Sequence, residues 1–222
     1  MRRPSTGLLE NARRARLGLS VADYRRRMGE LFAPFTKVAA KNPFASSPVE
    51  RGVDELITVT ASNRMICDPY PRLLVARDQV NQGAAVLLMP VAAARRLGVP
   101  EERWVFLHGH ADMVDQPLLD RLDLTYNSAS VLAVHEALAG AGIGIDDGST
   151  LDLYSCFPVP VFNFCDGTGL ATDDPRGLTS PAACRTSADR ATTTRCTASP
   201  RRSAKCGTGQ ANSAWSPPTA GS

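Results

Sequence analysis

The sequence has little histidine, few aromatic rings and no strong bias of charge. Three histidines in 222 residues leave little material for a multi-ligand metal centre, because zinc sites draw on three or four His, Cys or carboxylate ligands. None of the six cysteines forms a C-x-x-C pair, and six is too few for a disulfide scaffold in a chain of this length. A metal site is therefore not expected. The longest apolar run, "AAVLLMPVAAA" at 84–94, spans 11 residues and falls far short of the roughly 20 needed to cross a membrane. At the N-terminus, "MRRPSTGLLENARRARLG" places arginines where the apolar core of a signal peptide should begin. These absences lead us to expect a cytoplasmic protein with no membrane span.

What is present suits a packed domain. Hydrophobic residues make up 43% and charged residues 21%, within the range of ordinary globular chains. The net charge of +3 is unevenly distributed. Residues 180–222 hold six basic side chains against Asp189 alone, whereas residues 1–179 carry 19 basic and 21 acidic ones. The body thus shows no basic bias towards nucleic acid, and no interleaved aromatic platform suggests one. The tail contains no Leu, Ile, Val, Phe or Met and 14 Ser or Thr, so it cannot supply an apolar face and is expected to be disordered.

Along the body, Ser20 and Asp23 mark the start of a helix through "VADYRRRMGELFAPFTKVAA". Tyr24, Met28, Leu31, Phe32 and Phe35 recur on one face, with Pro34 expected to kink or divide the helix. Strands are expected at 55–60, 84–89 and 104–107 and in "LDLYS", with helices at about 90–97 and 127–141 between them. This alternation predicts an α/β layered fold with a mostly parallel mixed sheet. The division expected is a helical and connecting segment over 1–54, an α/β domain over 55–179 and the tail over 180–222.

Several residues are candidates for chemistry. Cys156, in "LYSCF", reads either as a nucleophile or as a small packed residue near a pocket wall. Cys165, in "VFNFCDG", has no histidine nearby in sequence and is the weaker candidate. His108 and His110 form an H-x-H pair followed by Asp112 and Asp115. The pair reads as a partial metal set or as loop hydrogen-bonding groups. The arginines from Arg13 to Arg27 suit either the phosphate groups of a ligand or a solvated helical face. Gly140, Gly142 and Gly144 make a helix-to-strand turn, without the lysine of a phosphate loop.

Two longer stretches carry a family resemblance. "DQVNQGAAVLLMPVAAARRLGVP" at 78–100 and "EALAGAGIGIDDGSTLDLYSCFP" at 136–158, supported by "SNRMICDPYPRLL" and "RWVFLHGHAD", resemble the C-terminal half of the thiolase superfamily, especially thiolase-like acetyl-CoA acetyltransferases of the sterol-carrier-protein type. The resemblance implies acyl transfer on coenzyme A, with acyl-CoA or CoA as substrate and no tightly bound cofactor. It aligns "YSCF" with the family's N-E-A-F or H-D-C-F segment. Tyr154 then takes the place of the Asn or His that positions a water, Ser155 the acidic place, and Cys156 the third place, which is not the nucleophile. His108 and His110 fall to the coenzyme side. The family's nucleophile-bearing N-terminal half and its terminal glycine-rich "TGG…GGPG" segment have no counterpart, so the chain is expected to be truncated and frameshifted near residue 180 and inactive alone. The partners implied are a homo-oligomer or a separate N-terminal-like subunit. Alternatively, the chain is a non-catalytic subunit completing a CoA-thioester site, or a nonfunctional product.

Overall fold

The computed structural model describes residues 3–43, 45–76 and 85–179, together with the backbone of 195–197. Its elements, in chain order, are helices α1 (Arg3–Arg16), α2 (Val21–Ala40) and α3 (Val53–Ile57), strands β1 (Met65–Cys67) and β2 (Tyr70–Pro71), helices α4 (Val91–Arg96) and α5 (Ser128–Ala141), strand β3 (Thr150–Asp152), helix α6 (Pro158–Thr168) and strand β4 (Arg195–Thr197).

The sequence explains the helices closely. Ser20 caps α2, its hydroxyl accepting the Asp23 amide at 3.1 Å, and the acidic side chain at Asp23 suits the positive end of the helix dipole. Tyr24, Met28, Leu31, Phe32 and Phe35 are all buried, and α2 runs through Pro34 without dividing. Pro90 stands just before α4, and Asn127 caps α5 through the Ser130 amide. Gly142 ends α5 with a positive φ of 68°, a conformation that favours glycine.

Helix α6 is the centre of the packing. Pro158 opens it, where a missing N–H costs nothing, and it contacts α1, α2 and α5. Val159, Val161, Phe162, Phe164 and Cys165 are each almost fully buried, so the helix has no continuous solvent face. Its approach to α5 depends on Gly167, where an added Cβ would overlap the Val131 side chain.

The sheet differs from the sequence expectation. A mostly parallel mixed sheet is contradicted: β1 pairs with β2 antiparallel, and β3 pairs with β4 antiparallel. The two residues Asp68 and Pro69 between β1 and β2 permit only a hairpin, because a parallel pair needs a crossover of a dozen or more residues. Residues 55–57 of the expected strand at 55–60 lie in the short helix α3, entered after Gly52 with Asp54 and Glu55 in its first turn. Of the expected strand at 84–89, residue 84 lies outside the described residues; residues 85–89 and the expected strand at 104–107 join no ladder among the described residues. The expected tail lies outside the described residues, except for the backbone of β4.

Candidate functional site

The segment of Tyr154, Ser155 and Cys156 connects β3 to the start of α6. Two backbone hydrogen bonds fix it. Leu153 donates to the Leu178 carbonyl at 3.0 Å, and Ala76 donates to the Cys156 carbonyl at 3.0 Å. Cys156 is buried, with 7% of its surface exposed, whereas Tyr154 and Ser155 are half-buried. The aromatic wall continues at Phe157, whose ring lies 5.5 Å from that of Tyr70.

Beneath this segment lies a polar network that sequence reading missed. Glu10 of α1 is completely buried. Its carboxylate accepts the Tyr24 hydroxyl at 2.5 Å, the Tyr70 hydroxyl, and the Val159 amide at 3.0 Å in the first turn of α6. Burial is the largest influence on Glu10 and raises its pKa to about 7, against the three hydrogen bonds and the nearby Arg13 charge, which lower it. Tyr24 and Tyr70 are likewise held above their ordinary pKa, by burial first and then by the Glu10 charge. Arg13 donates to Asp166 through two nitrogens at 2.9 and 2.8 Å and to the Tyr24 hydroxyl at 3.2 Å. Its guanidinium also lies 4.2 Å from the centre of the Phe162 ring. The network joins α1, α2, β2 and α6 directly under the candidate segment.

This geometry decides several candidates. Arg13 is committed to Asp166 and is not available to a coenzyme phosphate. Cys165 is buried on α6, and burial first, then the Asp166 charge, push its thiol up to about 12, which suits packing and not attack. His108 and His110 are exposed in the segment following residues 101–103, with the His108 ring tilted against that of Phe106 at a centroid distance of 6.4 Å. No hydrogen bond joins either histidine to residues 154–156 among the described residues. No group of three or more His, Cys, Asp or Glu able to hold a metal occurs among the described residues, and none of their helices is long and apolar enough to cross a membrane.

The missed signal was weak but present. Thr6, Leu9, Glu10 and Arg13 share one helical face, so a carboxylate and a guanidinium sat on the same side as an apolar residue. A charged residue on a helix ordinarily marks the solvent side. Only the two tyrosines, distant in sequence, reverse that reading.

Comparison with known structures shows a body similar to part of thiolase-like proteins. The chain shares 72% identity and a TM-score of 0.77 with a monomeric SCP2-thiolase-like protein type 1 from Mycobacterium smegmatis, over 81% of this chain and 40% of that one. The resemblance to thiolase-like proteins of the sterol-carrier-protein type therefore holds across most of the chain, which spans 40% of that relative's length. An Ltp2-ChsH2(DUF35) aldolase matches with a TM-score of 0.57 at 15% identity, over 75% of this chain and 42% of that one, a likeness of fold alone. No protein-family model and no curated protein matches.

Proposed function

We propose that this chain is an incomplete thiolase-like acyl-CoA acyltransferase unit, related to acetyl-CoA acetyltransferases, that does not turn over substrate alone. The observation that carries the reading is the 72% identity to a SCP2-thiolase-like protein confined to 40% of that protein's length. Acyl transfer on coenzyme A needs a thiolate, a base and donors to the developing oxyanion. Here the segment of Tyr154, Ser155 and Cys156 supplies one wall of such a site. Tyr154 stands where the family places a water-positioning Asn or His, and Cys156 packs the wall. His108 and His110 serve the acyl or pantetheine side. Coenzyme A thioesters are the substrate class, with no resident cofactor, and the chain works in the cytoplasm. Because the mycobacterial relative is monomeric, a separate complementing polypeptide fits as partner better than self-association.

The test is cleavage of acetoacetyl-CoA by free CoA, followed by loss of thioester enolate absorbance. The purified chain should show no turnover above background, and Cys156→Ser should leave that result unchanged while lowering the unfolding midpoint modestly, because a hydroxyl replaces a buried thiol. Turnover by the chain alone, abolished by Cys156→Ser with the fold intact, would overturn the reading.

A further inference from the structure

The first amide of α6 has no acceptor in its own neighbourhood. Pro158 brings no N–H, and Phe157 at the cap position makes no side-chain hydrogen bond, so the Val159 amide must look elsewhere. Its acceptor comes from 149 residues away: the Glu10 carboxylate of α1, at 3.0 Å. The accepting oxygen, Oε2, also takes the hydroxyl of Tyr70, while Tyr24 donates to the other oxygen, Oε1. Glu10, Tyr24 and Tyr70 are all completely buried, so a group that loses its partner has no solvent to turn to.

Tyr70 reaches the candidate segment by a second route. Its ring lies 5.5 Å from that of Phe157. Further along the same stretch, the Ala76 amide donates to the Cys156 carbonyl at 3.0 Å. A closed circuit results, from Glu10 through Tyr70 to Ala76, across to Cys156, and through Phe157 and Val159 back to the same Glu10 oxygen. The end of the candidate segment is thus held on both sides, by Ala76 at Cys156 and by Glu10 at Val159. Tyr24 stands outside the circuit, against Arg13 and Phe162.

We propose that Glu10 is a positioning residue for the candidate site: by binding the Tyr70 hydroxyl and the Val159 amide on one oxygen, it sets where Tyr154, Ser155 and Cys156 stand. Being completely buried, it acts through these two groups and not by contact with a substrate. That residues 154–156 line an acyl-CoA site rests on the functional reading above, whereas the anchoring rests on hydrogen bonds and burial.

The experiment is hydrogen exchange resolved to single amides in the full 222-residue chain, comparing the parent with Glu10→Met, Glu10→Gln and Tyr24→Phe. The Ala76 amide reports on the segment, and the Leu31 amide, in the middle of α2, reports on unfolding of the whole body. Methionine fills the volume of glutamate without an acceptor, and the loss of hydrogen bonds to a carboxylate should speed Ala76 relative to Leu31 by about tenfold. Glu10→Gln keeps one carbonyl oxygen for Val159 and Tyr70 and should hold the ratio within about threefold of the parent. Tyr24→Phe removes a donor to the same carboxylate outside the circuit and should leave the ratio at the parent value. Should Glu10→Met fail to fold, Tyr70→Phe cuts the circuit with the carboxylate in place, and it should raise the ratio by about threefold. An unchanged ratio in the variant that breaks the circuit, or an equal rise in Tyr24→Phe, would overturn the proposal. Neither exchange rate depends on activity: acetoacetyl-CoA cleavage by the chain alone through Cys156 would overturn the functional reading and leave the positioning role standing.

Discussion

The single most constrained residue is Glu10, a carboxyl group with no exposed surface beneath the candidate segment. Burial favours its neutral form, while Tyr24, Tyr70, the Val159 amide and Arg13 favour its charged form, and the balance leaves its pKa at about 7 against an ordinary 4.5. A carboxyl whose pKa is higher folded than unfolded binds more protons in the folded state between those two values. Its contribution is therefore fully present below pH 4.5 and is lost as pH rises through about 7. The span corresponds to up to about 3 kcal/mol, at about 1.4 kcal/mol per unit. We expect urea unfolding to show the parent losing stability between pH 5 and pH 7.5, and Glu10→Gln removing most of that slope. Parallel pH profiles for the two proteins would show that Glu10 does not titrate in this range. Arg13 belongs to the same logic: with Asp166 as its bidentate partner, it is an internal strut of the fold.

At the scale of elements, the helices were legible because local signals agreed with burial. The Ser20 cap, the apolar face of α2 and the Gly142 terminus of α5 all stand where their residues imply. Residues 85–89 and 104–107 have the composition of strands, but β-propensity measures the fit of side chains against neighbouring strands, and they join no ladder among the described residues. The candidate segment at 154–156 was legible from the motif around it, while the Glu10 network beneath was hidden by distances of 14 and 60 residues in sequence to its tyrosines. A test of element packing lies at Gly167, where α6 meets Val131 of α5. Replacing a helical glycine with alanine normally gains about 1 kcal/mol, but overpacking costs about 1–3 kcal/mol, and here the added Cβ meets a β-branched side chain. We expect Gly167→Ala to destabilise the chain in urea melts by about 1 kcal/mol. Its penalty should shrink or change sign in a Val131→Ala background. Equal effects in both backgrounds would exclude the steric explanation.

For the whole molecule, the question is why a body so close to a thiolase-like relative ends in a chain without aliphatic residues. The genetic code permits a direct test on residues 181–192, "PAACRTSADRAT". Consider triplets made from the last base of one codon and the first two of the next. Ala182, Ala183, Ala188, Asp189 and Ala191 all have codons beginning with G, so each shifted triplet can encode glycine. Arg185 and Arg190 follow Cys184 and Asp189, whose codons end in a pyrimidine, and an arginine codon beginning CG then yields only Pro or Ser. Cys184 becomes Leu, Met or Val, and Ser187, if its codon begins TC, becomes Phe, Leu, Ile or Val. Pro181 can become Thr, and Thr192 can become Asn. The shifted frame therefore accommodates T-G-G, an aliphatic residue, P, two variable positions, G-G-P-G and N, which matches the "TGG…GGPG" segment implied by the family resemblance. It also restores aliphatic residues in the region where the translated tail has none. We predict that sequencing the gene and reading this frame from codon 181 gives that segment without an early stop. A protein with the frame corrected there should be more soluble than the present chain, since the restored residues can bury apolar surface that the tail cannot. A non-glycine residue or a stop at the five glycine positions would reject the frameshift and leave the serine- and threonine-rich tail as a genuine part of the protein.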